Sequence, residues 1–141
     1  MFDGTPAPQR SVYTRKRPAV NRGVVWTRTE RHYLAKIAVP SPDPSEWRSL
    51  LDQLRPSVRP LVLWMPGRVW LGAAGRDALA AAIGSSKVAV IVENDIGRGL
   101  ATALEWLGIN VTAYSSNELE RAETELEFQP GQLGELLEAL A

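Results

Sequence analysis

Pro60-Leu-Val-Leu-Trp-Met65, Lys87-Val-Ala-Val-Ile-Val92 and Asn110-Val-Thr-Ala-Tyr-Ser115 are the runs whose reading decides the fold. Each is short, apolar at most positions and rich in β-branched or aromatic side chains, which is the composition of a strand. Between them, Ala73 to Ile83 and Ile96 to Leu107 are alanine- and leucine-rich and long enough for helices. Strands alternating with helices of this length predict an α/β fold, with a parallel sheet and right-handed crossovers.

Working outward, Val24 to Thr29 and Tyr33 to Val39 are β-prone and flank the polar Glu30-Arg31-His32, which predicts a hairpin on the same sheet. Asp43 is a good N-cap, Pro44 suits the first helical position and Glu46 stands three residues after the cap. The helix that follows carries Trp47, Leu50, Leu51 and Leu54 on one face, and Pro56 and Pro60 bracket its end. Downstream of Ser115, Asn117 with Glu120 predicts the start of another helix, with Leu119, Ala122 and Leu126 on its buried face. Pro130-Gly131 then breaks the chain, and Leu133, Leu136, Leu137 and Leu140 make a last short stripe. Residues 1–22 contain Pro6, Pro8 and Pro18 and little periodicity, so they predict a flexible basic arm. The expected organisation is therefore an arm over 1–22, one α/β domain over 23–127 and a short C-terminal helix over 128–141.

Composition narrows the chemistry. The 141 residues are 45% hydrophobic and 23% charged, which is ordinary for a globular domain. With no cysteine, disulfides, thiol catalysis and thiolate metal sites are excluded together. No apolar run approaches the roughly 18 residues of a membrane span, and the N-terminus lacks the plan of a signal peptide, so a cytoplasmic protein is expected. The net charge of zero hides an asymmetry. Residues 1–36 hold eight Lys/Arg and two acids, whereas 118–141 hold seven Glu and one Arg. Such ends form solvated surfaces, or attract each other within one chain or between two.

In order and length this pattern resembles the STAS domain of bacterial anti-sigma-factor antagonists over roughly residues 24–127. The closest part is Val88 to Val92, then a helix ending Trp106-Leu-Gly-Ile109, then Val111-Thr-Ala-Tyr114 and an acidic helix. The resemblance implies a non-catalytic module that binds another protein. One departure is specific. Antagonists of that family are switched by phosphorylation of a Ser or Thr after an Asp, in the turn following the third strand. Here the turn is Pro66-Gly-Arg-Val-Trp-Leu-Gly72, which has no Ser, Thr or Asp, so no phosphosite carries over.

Candidate chemistry is sparse. His32 is the only imidazole, and its place in a predicted hairpin turn reads as a surface histidine rather than a base. Glu93 and Asp95 follow a parallel strand, where two carboxylates could hold Mg²⁺, but Asn94 or Asp95 as a helix cap is the simpler reading. Of the five tryptophans, Trp47, Trp64 and Trp106 fall on predicted core positions. Trp70 lies in the turn after a parallel strand and reads first as a core residue and second as an interface anchor; on the second reading Arg68, Val69, Trp70 and Leu71, with Arg98 near the next helix start, are the expected protein-binding residues. The cluster Arg10, Tyr13, Arg15, Lys16, Arg17 and Arg22 offers the alternative of a nucleic-acid-associated protein whose arm follows a phosphate backbone. A metal-dependent enzyme using Glu93 and Asp95 is the weakest reading. The leading expectation is a protein-interaction module in regulation or assembly, without a cofactor or resident metal, that binds a protein partner or a second copy of itself.

Overall fold

A computed structural model describes residues 23–55 and 59–140. The elements run β1 (Val24–Arg28), β2 (Tyr33–Ile37), α1 (Pro44–Leu54), β3 (Leu61–Met65), α2 (Ala73–Ile83), β4 (Lys87–Val92), α3 (Asp95–Trp106), β5 (Asn110–Ser115), a single 3₁₀ turn (Ser116–Glu118), α4 (Leu119–Leu126) and α5 (Gln132–Ala139). The predicted order is thus present, including the hairpin.

All five strands form one sheet in the spatial order β1-β2-β3-β4-β5. β1 is antiparallel to β2, and the other neighbours are parallel. In a sheet whose order follows the sequence, right-handed crossovers carry every connecting helix to the same face. The core divides accordingly. Tyr33, Ala35 and Ile37, Leu61, Leu63 and Met65, and Val88, Val90 and Val92 point to the face covered by α1, α2 and α3. The alternate residues, Leu34, Val62, Ala89, Ile91 and Tyr114, point to the face covered by α4 and α5. Both faces are buried, so the central strands read as continuous apolar runs instead of an alternation.

Three helix starts show how local chemistry fixes the joints. Asp43 Oδ1 accepts from Ser45 N at 2.7 Å, as predicted for α1. The bonds from Ser45 hold the Asp43 carboxyl below its usual pKa. Asn94 caps α3, its Oδ1 accepting from Ile96 N at 3.0 Å and Gly97 N at 3.2 Å. At the end of β5 the expectation needs correcting. The capping box is Ser115 with Glu118, not Asn117 with Glu120. The Ser115 backbone N–H donates to Glu118 Oε1 at 2.8 Å, so the chain turns as soon as β5 ends.

α3 lies unusually close to β4. A Cβ added at Gly97 would stand 2.6 Å from Val92 Cγ1 and 2.8 Å from Val92 Cβ, so only glycine lets the helix settle there. Gly97→Ala replaces a glycine in the first turn of α3, a gain of at most about 1 kcal/mol. The clash is with the base of a β-branched side chain, and overpacking of this kind costs about 1–3 kcal/mol. The expected net result is a lower urea midpoint, read by equilibrium unfolding. An unchanged or raised midpoint would show that α3 can move away from β4.

Candidate interaction site

The loop after β2 and the turn after β3 lie side by side at the carboxyl edge of the sheet, because β2 and β3 are parallel neighbours. They are tied together where Trp70 N donates to Pro40 O at 2.7 Å. Val69 and Leu71 on either side of Trp70 are buried. They anchor the turn in the core, and of the two only Leu71 also lines the neighbouring groove. From the next joint, Asn94 Nδ2 donates to Gly67 O at 3.1 Å, fixing the start of the turn. Trp70 itself is held outward, 65% exposed, with the Arg76 guanidinium 5.9 Å from its ring. Of the two readings open to this residue, core or surface, the structure gives the surface.

Beside it runs a groove of about 370 Å³ between α1 and α2. Trp47 forms its inner part, and its Nε1 donates to Gly75 O at 3.1 Å, joining the two helices. Pro42, Leu51 and Ala78 make apolar walls, and Arg48 and Arg55 stand at the α1 rim. Asp52, also on that rim, lies 3.8 Å from Arg55. A preformed apolar groove flanked by guanidinium groups and an exposed indole suits an amphipathic segment carrying carboxylates.

The predicted residues are only partly brought together. Arg68 is exposed in the same turn as Trp70, and Arg98 is exposed on α3 with no described contact to Trp70. Sequence reasoning missed Arg76, Arg48 and the groove itself, since they meet only when α1 and α2 come side by side. Glu93 and Asp95 are exposed around the Asn94 cap, and among the described residues no three His, Asp or Glu gather where they could hold a metal. The candidate nucleic-acid residues Arg10, Tyr13, Arg15, Lys16, Arg17 and Arg22 lie outside the described residues.

Two further expectations are corrected. Trp106 is 85% exposed, because α3 points Leu100 and Leu104 to the sheet and turns its last residue outward. His32 is buried at 5% exposure rather than on the surface. Its Nε2 donates to Leu126 O at 2.8 Å, and its ring stacks on Phe128 with centroids 3.9 Å apart. It therefore pins the hairpin turn to the end of α4. Beside it Arg31 pairs with Glu127 at 2.8 Å, one point where the basic and acidic ends of the chain meet.

Burial holds the His32 imidazole below its ordinary pKa of 6.5, against a smaller opposing effect of the Leu126 bond. The unfolded chain then takes up a proton at a pH where the folded chain does not. Stability from His32 is complete above pH 6.5 and declines as pH falls from that value toward the lowered one. The expected result is a melting temperature that falls on acidification through this window in the wild type and falls less in His32→Gln. Equal pH dependence in the two proteins would discount this role.

Comparison with protein-family models, curated proteins and solved structures found no match. No helix among the described residues is long and apolar enough to cross a membrane.

Proposed function

We propose that this chain is a non-catalytic protein-interaction module, a diverged member of the STAS class. Its binding surface is Trp70, the neighbouring Arg68, and the groove between α1 and α2. The observation that carries the reading is Trp70, a large indole kept 65% exposed on a turn pinned by its own backbone bond to Pro40, by the Asn94 side chain and by two buried neighbours. Holding such a side chain in water loses the burial free energy it could contribute to folding. A partner that covers it recovers that energy, and the rigid turn loses little entropy in binding. The hairpin feeding a parallel sheet is the architecture that the STAS resemblance implies, and it supports the assignment. The hydroxyl-free turn argues for recognition that is not switched by phosphate at that position.

The partner this surface fits is a protein segment with apolar anchors for Trp70 and the groove, and acidic side chains for Arg48 and Arg68. The test is affinity capture from the native host with the wild type and Trp70→Ala in parallel. A protein retained by the wild type and lost by the variant supports the reading. Recovery of the same proteins by both, or of nucleic acid that is released steeply as salt rises, sinks it in favour of phosphate binding through the basic arm.

A further inference from the structure

Every inner strand of the sheet is paired on both sides, but β5 pairs with β4 alone among the described residues. An open edge is a template for another strand, and proteins blunt such edges with Lys, Pro, other charges or bulges. β5 has none of these: Asn110-Val-Thr-Ala-Tyr-Ser115 is uncharged, unbroken and six residues long. The opposite edge, β1, ends in Arg28 and is shorter.

The helix above this edge is complementary to itself. With the parallel strands pointing up and α3 in front of the sheet, right-handed crossovers put β5 at the right and α3 runs downward. Gly97, Leu100, Ala101 and Leu104 are buried against the sheet. The hand of an α-helix then turns the exposed Arg98, Thr102 and Glu105, spaced i, i+4 and i+7, toward the open side of β5. Thr102 occupies the middle of this stripe, with a cation at one end and an anion at the other. Arg98 and Glu105 are both exposed.

We infer that this chain forms a two-fold dimer through β5, giving one continuous sheet across two copies. A two-fold axis near Thr112 and Ala113 pairs the β5 strands antiparallel and sets α3 antiparallel to its copy. Arg98 of each copy then faces Glu105 of the other, twice over, while Thr102 meets its counterpart at the centre. α3 packs on both β4 and β5. Strands are spaced about 4.8 Å apart, so a helix lying between those two stands about 10 Å from its two-fold mate, the separation of packed helices. The short Thr102 side chain at the centre allows that approach. The occupant is a second copy because one stripe supplies both the charge and its complement, as an isologous interface requires. This site is separate from the Trp70 groove and stands without it.

Sedimentation equilibrium on the full chain tests the dimer. The wild type is expected to sediment at twice the mass of one chain. Arg98→Glu and Glu105→Arg each place two pairs of like charges across the axis, and each should raise the dimer dissociation constant at least tenfold. The double variant R98E/E105R restores opposite charges and should return the constant to near the wild-type value. Both positions are exposed, so circular dichroism should show all three variants folded. Thr112→Lys, which puts a charge on the strand itself, should give a folded monomer. A wild type that is monomeric at millimolar concentration overturns the inference. So does a dimer that is indifferent to the single variants or is not rescued by the double one.

Discussion

Trp47→Ala is expected to lower folding stability by about 3–5 kcal/mol, the usual cost of truncating a buried tryptophan. The indole is 5% exposed and lies between α1 and α2. Its removal abolishes the 3.1 Å bond from Nε1 to Gly75 O and opens the floor of the groove. Because whole domains are stable by about 5–15 kcal/mol, this is a large share of the total. For a domain of this size the melting temperature should fall by roughly 10–20 °C. Trp47→Phe keeps most of the ring volume and loses mainly the hydrogen bond, worth about 1 kcal/mol. Calorimetry on both variants checks this order. A loss under about 1 kcal/mol for the alanine variant would mean that α1 is held by its leucines alone.

Trp70→Ala, a few residues away in space, is expected to behave in the opposite way. The side chain is already largely in water, so its removal should change the melting temperature little. Against the captured partner it should cost about 2 kcal/mol or more, the size of an interface anchor. That is a loss of affinity of roughly thirtyfold. Isothermal titration with wild type and variant, beside a thermal melt of each, separates the two quantities. A large fall in melting temperature with unchanged affinity would place Trp70 among the stabilising residues and remove the main support for the proposed surface.

The contrast between these two indoles shows where local sequence stops being informative. Trp47 sits in an i, i+3, i+4, i+7 stripe with three leucines, and periodicity alone assigns it to the core. Trp70 lies in a turn without periodicity, between two apolar neighbours that are both buried. Nothing in Arg68 to Leu71 distinguishes the outward residue from the inward ones. That choice is made by the backbone bond from Trp70 N to Pro40 O, across thirty positions of sequence.

His32 and Trp106 failed for the same reason in opposite directions. His32 is in a hairpin turn, and hairpin turns face water by default. Here α4 comes back across the second face of the sheet and closes over it, which no residue near position 32 foretells. Trp106 is apolar and ends an amphipathic helix, so composition assigns it inward. The rotation of α3 is set by Gly97 against Val92 and leaves Trp106 85% exposed among the described residues.

By itself the sequence determined the strands, the helices, the caps at Asp43 and Asn94 and the parallel character of the sheet. Those depend on side-chain periodicity and on hydrogen bonds within a few residues. Only the tertiary structure decided which of the two indoles beside the groove is exposed, that Arg76 stands by Trp70, and that β5 is an edge strand among the described residues, with Arg98 and Glu105 on the helix packed against it. Each of these is set by the order in which strands lie side by side and by how each helix is rotated on the sheet. Contacts between distant segments fix both, and those contacts have no period in the chain.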